Sequence, residues 1–253
     1  MTAYFKSDRG KVRSINEDAG GVFKHPTGQL LIVIADGMGG HNAGDVASQM
    51  AVSQLHKKWD ETSKISSIEV ASTWLEQTIQ EANQKILNYA KENVDCEGMG
   101  TTLTAAIIFN NEVAVGHIGD SRLYTINHQE VVQQTEDHSF VHELVRSGQL
   151  TMEEAEVHPK KNVLTQAVGT EESLDVQLHT FSLNEDKPYL FLCTDGLTNK
   201  VSEKEIQEVI LQDRKTEDKL DELIQLANDR GGEDNISLLL WVDDGDEEGV
   251  STC

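Results

Sequence analysis

Two stretches of this chain set a carboxylate where carboxylates are costly. Residues 30–44 read LLIVIADGMGGHNAG, with the large apolar run Leu31 to Ile34 leading into Asp36-Gly37. Residues 189–196 repeat the grammar as YLFLCTDG, ending on Asp195-Gly196. A short apolar run closed by Asp-Gly reads as a strand buried on both faces, although periodicity alone leaves a helical segment open. An ionised carboxylate at the end of such a strand needs a partner charge or a cation. A single Asp-Gly is also an ordinary turn signal, so the repetition carries the argument. Asp120 in Gly119-Asp120-Ser121-Arg122 and Asp234 in Gly232-Glu233-Asp234-Asn235 fall at strand ends too, and Glu17-Asp18 lies near the first strand. Gathered at one edge, these groups would repel one another strongly without a cation. Mg²⁺ and Mn²⁺ are hard cations that want oxygen ligands. A pair of them suits in-line attack on phosphorus by an activated water. Arg13 and Arg122 offer planar donors for a phosphate.

The elements that must hold these residues follow from pattern. Asp45 is placed to cap a helix reaching about Trp59, with Ala51, Leu55 and Trp59 in i, i+4 register. Ser66-x-x-Glu69 reads as a capping box for a longer helix to about Asn93, whose stripe is Leu75, Ile79, Ala82 and Ile86. From Gly98, TTLTAAIIF, EVAVGHI, SRLYTI and EVVQQTE predict strands joined by tight turns. Residues 138–169 are polar, with helical turns at 141–146 and 152–157, and read as an excursion from the sheet. Strands near 176–183 and 189–194, helices near 203–211 and 217–229, and a last strand over 236–242 complete the pattern. No repeat or low-complexity linker interrupts it, so residues 1–243 are expected to form one domain. Residues 244–253 are expected to be a solvated acidic tail.

Composition narrows the partners. With 21 basic and 44 acidic residues the formal net charge is −23, which argues against nucleic acid or an anionic membrane. No window carries the roughly 18 apolar residues of a membrane helix, and the N-terminus lacks the apolar core of a secretory signal. Cys96, Cys193 and Cys253 are widely spaced and fit free thiols in the cytoplasm better than disulfides or a zinc site.

Six motifs then follow in order: Arg13-x-x-Asn16-Glu17-Asp18, Asp36-Gly37-Met38-Gly39-Gly40-His41, Gly98-Met99-Gly100-Thr101-Thr102, Gly119-Asp120-Ser121-Arg122, Asp195-Gly196 and Gly232-Glu233-Asp234-Asn235. From about residue 4 to 242 the chain resembles the bacterial type 2C metal-dependent serine/threonine protein phosphatases, above all those of Gram-positive bacteria that oppose a membrane-bound Ser/Thr kinase. The resemblance implies an α+β fold, a four-layer α/β/β/α sandwich with two central, mainly antiparallel sheets. It implies two Mn²⁺ or Mg²⁺ ions, with a third in bacterial members. Asp36 would bridge two metals and the Gly37 carbonyl would ligate one. Asp195 and Asp234 would hold the first; Glu17 and Asp18 would sit beside the second, mostly through water, with Asn235 behind the ligands. Asp120 with Asp195 would hold the third. Arg13 would grip the substrate phosphate, and residues 139–169 would form a flap over the site. The implied reaction is direct hydrolysis of phosphoserine or phosphothreonine by a metal-bridging water. The implied partners are phosphoproteins, including a cognate Ser/Thr kinase, and the expected state is a monomer. Where eukaryotic members have His after Asp-Gly as the proposed general acid, this chain has Met38, and His41 is the nearest substitute.

Two other readings compete. A catalytically dead binding module would have lost Asp36, Asp195 or Asp234, and all three are present. A nucleotide-binding loop would need a Lys-Ser/Thr or a G-x-G-x-x-G opening a helix, and DGMGGH supplies neither.

Overall fold

A computed structural model describes residues 2–39, 43–183 and 189–243. His41 and the acidic tail at 244–253 lie outside the described residues. Two sheets, antiparallel throughout, stand face to face. The first runs in the order β1 (Thr2–Asp8), β11 (Ile236–Val242), β10 (Tyr189–Cys193), β7 (Arg122–Ile126), β8 (Val131–Gln133). The second runs β2 (Asp18–Lys24), β3 (Leu30–Met38), β5 (Leu103–Phe109), β6 (Glu112–Ile118), β9 (Gln177–Ser182), with the short β4 (Gly100–Thr101) paired to the end of β3.

Alternation along β3 explains the layering. Leu31, Val33 and Ala35 enter a core with helices α1 (Gly44–Glu61) and α2 (Ile68–Glu92). Leu30, Ile32 and Ile34 enter a second core between the sheets, with Leu190, Leu192, Leu239 and Trp241. The outer face of the first sheet, with Phe191, Leu238 and Leu240, packs against α5 (Asp195–Thr198), α6 (Glu203–Ile210) and α7 (Thr216–Asp229). A strand covered on both sides has no solvent face, so its sequence is continuously apolar even though the sheet is antiparallel. The α/β/β/α sandwich implied by the resemblance is therefore the architecture found.

The stripes Ala51-Leu55-Trp59 and Leu75-Ile79-Ala82-Ile86 are buried as expected. The helix starts differ. Ala43, not Asp45, is the N-cap of α1 and makes no side-chain cap bond. The helix must begin at Gly44 because its backbone lies against Gly37; a Cβ on Gly44 would meet the Gly37 carbonyl at 2.8 Å. Asp45 instead sits in the first turn, where it complements the helix dipole. Ser67 rather than Ser66 caps α2, accepting from the Val70 amide. The segment 139–169 holds two short helices, α3 (Phe140–Arg146) and α4 (Met152–Glu156), and its ends meet in a bridge between Ser139 and Leu164.

Candidate active site

Antiparallel order decides where the acids go. The start of β2, the end of β3 and the end of β6 share one edge of the second sheet; the end of β10 and the starts of β7 and β11 share one edge of the first. Both edges lie together, because Thr194 at the end of β10 donates to Asp18 Oδ2 on β2 at 3.0 Å. The Glu17 amide likewise donates to Asn235 Oδ1 at 2.8 Å.

Asp36 does not end its strand. Pairing with β4 carries β3 through to Met38, so Asp36 continues the Leu30-Ile32-Ile34 face and looks into the space between the sheets. Its cross-strand partner is Asp18, a like-charged pair that a sheet tolerates only with compensation. Asp120 stands in the turn between β6 and β7, Asp195 opens α5, and Asp234 precedes β11. Close backbone packing fixes the frame. A Cβ on Gly37 would fall 2.0 Å from the Gly44 carbonyl, and one on Gly196 would fall 1.9 Å from the Asn235 carbonyl. The Asp36 amide accepts no freedom either: it donates to Thr102 Oγ1 at 2.9 Å, while its carbonyl receives the Thr102 amide at 2.8 Å.

The carboxylates feel one another. Burial first, then the charges of Asp18, Asp195, Asp120 and Asp234, hold the Asp36 carboxyl well above the ordinary carboxylate range. Burial raises Asp18 to about 7, with Asp195 and Asp234 adding to the shift. Burial, then Asp195 and Asp137, raise Asp120; burial, then Asp234, raise Asp195. Protein donors offset part of this. Arg13 Nη2 reaches Asp234 Oδ2 at 2.8 Å and its Nη1 stands 3.6 Å from Glu17 Oε2. Asn199 Nδ2 donates to Asp195 Oδ2 at 3.0 Å. Drawn toward these donors, no three acid, thiol or imidazole groups among the described residues form a ready cation cage. The donor set nevertheless fits hard cations. It is all oxygen, it resists holding its own negative charge, and Asp18 Oδ1 is buried with no hydrogen-bond partner.

Arg122 behaves otherwise than its sequence context suggests. Its guanidinium grips Asp137 bidentately, Nε to Oδ1 at 2.9 Å and Nη2 to Oδ2 at 2.6 Å, so its planar fork is committed inside the protein. That leaves Arg13, half-exposed beside Asp234, as the guanidinium at the acid pool. Thr194 and Asn199 were not singled out from sequence. A threonine between a strand and a helical turn and an asparagine after that turn carry no signal of their own there.

A sandwich that crowds carboxylates under a guanidinium, at the one edge its two sheets share, has the build of a phosphoryl-transfer hydrolase. Comparison with known proteins makes the class specific. The family model for protein phosphatase 2C matches residues 9–240, and the chain belongs to that family. It is 47% identical over 240 residues to a serine/threonine phosphatase of Listeria monocytogenes, covering 95% of each chain. It is 41% identical over 234 residues to protein phosphatase PhpP of Streptococcus pneumoniae, covering 92% of this chain and 94% of that one. The crystal structure of the serine/threonine phosphatase Stp1 from Staphylococcus aureus superimposes with a TM-score of 0.92 at 41% identity, over 96% of this chain and 95% of that one. The catalytic domain of the phosphatase PstP, solved with 2 manganese ions, superimposes with a TM-score of 0.81 at 33% identity, over 94% of this chain and 96% of that one. This protein is a serine/threonine protein phosphatase.

Proposed function

We propose that the chain removes phosphate from phosphoserine and phosphothreonine by direct displacement, with divalent cations held in the acid pool. The observation that carries this reading is that the two sheet edges bring Asp18, Asp36, Asp120 and Asp195 together where burial first, and neighbouring acids next, disfavour their ionised forms, a cost that a cation would turn into binding energy. Asp36 would bridge two ions and the Gly37 carbonyl would complete one of them. Asp195 and Asp234 would serve the first ion, Asp18 and Glu17 the second, and Asn235 would keep Glu17 and Asp234 in place. Asp120 with Asp195 would hold a third. Bound there, Mn²⁺ or Mg²⁺ supplies an activated water and neutralises charge on the phosphoryl oxygens. The chain's own part is to orient. Arg13 swings from Asp234 to the incoming phosphate, and His41 is the candidate donor to the leaving oxygen. Residues 139–169 act as a flap that meets the peptide. The reading extends to a cytoplasmic enzyme, a monomer, that reverses the work of a cognate Ser/Thr kinase. No helix among the described residues is long and apolar enough to cross a membrane.

Direct displacement is tested by acid-quenching the enzyme during turnover of a ³²P-labelled phosphoserine peptide. No label should stay on the protein. A phosphoenzyme that forms and decays at the turnover rate would overturn the mechanism.

Arg13 gives a second test. If it grips ground-state phosphate, Arg13→Ala should raise KM more than it lowers kcat. A charge-assisted bond of about 1.5–3 kcal/mol corresponds to roughly 10- to 150-fold in kcat/KM. Steady-state kinetics on an aryl phosphate check this, and unchanged constants would remove Arg13 from the phosphate.

A further inference from the structure

The strip Glu136–His138 joins two parts of the molecule. Toward the acid pool it holds the turn that carries Asp120. The His138 amide donates to the Gly119 carbonyl at 2.7 Å, and the Gly119 amide donates to His138 Nδ1 at 3.2 Å. Asp137 takes the Arg122 fork at the other end of the same turn. Gln133 Nε2 adds a third donor to Asp137 Oδ1 at 3.0 Å, so that carboxylate is fixed from two sides. Beneath, the buried His117 turns Nε2 to the Glu136 carbonyl at 3.1 Å and Nδ1 to Thr104 Oγ1 at 2.8 Å. That hydroxyl also reaches the Ser121 carbonyl at 2.6 Å, inside the turn. A carbonyl only accepts, so Nε2 carries the imidazole proton. Away from the pool, the same strip holds the excursion at 139–169. Ser139 follows it directly and caps α3, and the Thr165 amide donates back to the His138 carbonyl at 2.8 Å. Both ends of the excursion therefore hang on three residues that also clamp the Asp120 turn.

We propose that Asp137 and Arg122 are positioning residues that set Asp120 for its cation and link that site to the seating of the 139–169 segment. The proposal rests on the reading of Asp120 as a cation ligand. Gly119 makes the link stiff. Its φ is +103°, and a Cβ there would strike Thr102 Cβ at 2.7 Å, so the turn has no slack in which to absorb a shift of the strip.

The test compares Asp137→Asn, Arg122→Lys and Asp120→Asn, each checked for folding by its melting temperature. Three readouts are taken against Mn²⁺ concentration: calorimetric titration, hydrolysis of a phosphoserine peptide, and tryptic cleavage after Arg146, Lys160 and Lys161 in the segment. In the wild type, filling the weakest cation site should slow that cleavage. In Asp137→Asn the weakest site should lose about 10- to 100-fold in affinity, the range found when a residue supporting a metal ligand is changed. Cleavage should become faster and stop responding to Mn²⁺, and excess Mn²⁺ should restore most of kcat while KM for the peptide stays raised. Arg122→Lys keeps the charge and loses the fork, so it should give the same pattern more weakly and carries the test if Asp137→Asn does not fold. Wild-type Mn²⁺ dependence and cleavage in the folded variants would overturn the positioning role, provided Asp120→Asn loses the weakest site. If Asp120→Asn itself binds Mn²⁺ as the wild type does, Asp120 is no ligand, and the proposal falls with that reading.

Discussion

Replacing Asp36 by asparagine is expected to lower kcat/KM by about 10³-fold or more, equivalent to at least roughly 4 kcal/mol of lost transition-state stabilisation. One substitution removes charge from both cations that Asp36 is proposed to bridge, which is why its effect should exceed that of Asp18, Asp120 or Asp234, each proposed to serve one. Stability should move the other way. Asp36 is buried and is also repelled by Asp18, Asp195, Asp120 and Asp234, so without divalent cations its ionised form is a cost to the fold. Asparagine has nearly the same shape and no charge. In chelator at pH 8 the variant should therefore melt at the wild-type temperature or above it, as expected when a functional residue is kept at the expense of stability. Kinetics at saturating Mn²⁺ and thermal melts in chelator check the two halves separately. A loss of only a few-fold, or a melting temperature several degrees lower, would mean that Asp36 is not the bridge but a structural acid.

Part of the frame that gathers the candidate site was legible in the sequence. The repeated apolar-run-Asp-Gly pattern marked β3 and β10 because strands packed on both faces leave no polar positions to disguise them. The stripes of α1 and α2 were legible for the same reason, since one face of each helix is wholly buried. The less legible features depend on contacts distant in sequence. A two-residue strand at Gly100–Thr101 has no pattern, yet its pairing extends β3 through Met38 and turns Asp36 inward. Asp45 has the chemistry of an N-cap, but the helix starts two residues early, where Gly44 packs closely on Gly37. Arg122 looked free because nothing local pairs with it; its partner, Asp137, comes from beyond β8. Which serine caps α2 turned on one residue of register, and the side chains of Ser66 and Ser67 are chemically the same.

Removal of divalent cations should stop hydrolysis outright and should destabilise the protein more at high pH than at low. Unfolded aspartates titrate near pH 3.9. In the fold, burial and neighbouring acids raise Asp18 to about 7 and raise Asp36, Asp120 and Asp195 as well. Across that interval the folded chain holds more protons than the unfolded one, so stability without cations falls as pH rises from about 4 through 7. Protons and cations compete for the same oxygens. At pH 5.5 Asp18 is largely protonated, and Mn²⁺ must displace that proton to bind. At pH 8 Asp18 is ionised and unrelieved, and Mn²⁺ supplies the missing charge. Mn²⁺ at about 100 times its dissociation constant adds roughly 2.7 kcal/mol per site. For a domain of this size that is about 5–10 °C in melting temperature. The expected result is a gain of that size at pH 8 and a clearly smaller one at pH 5.5, with proton release on Mn²⁺ binding at the lower pH. Melting curves with Mn²⁺ and with chelator at the two pH values decide it. Equal gains at both, or turnover that survives excess chelator, would show that the acids at Asp18, Asp36 and Asp195 do not bind the cation on which hydrolysis depends.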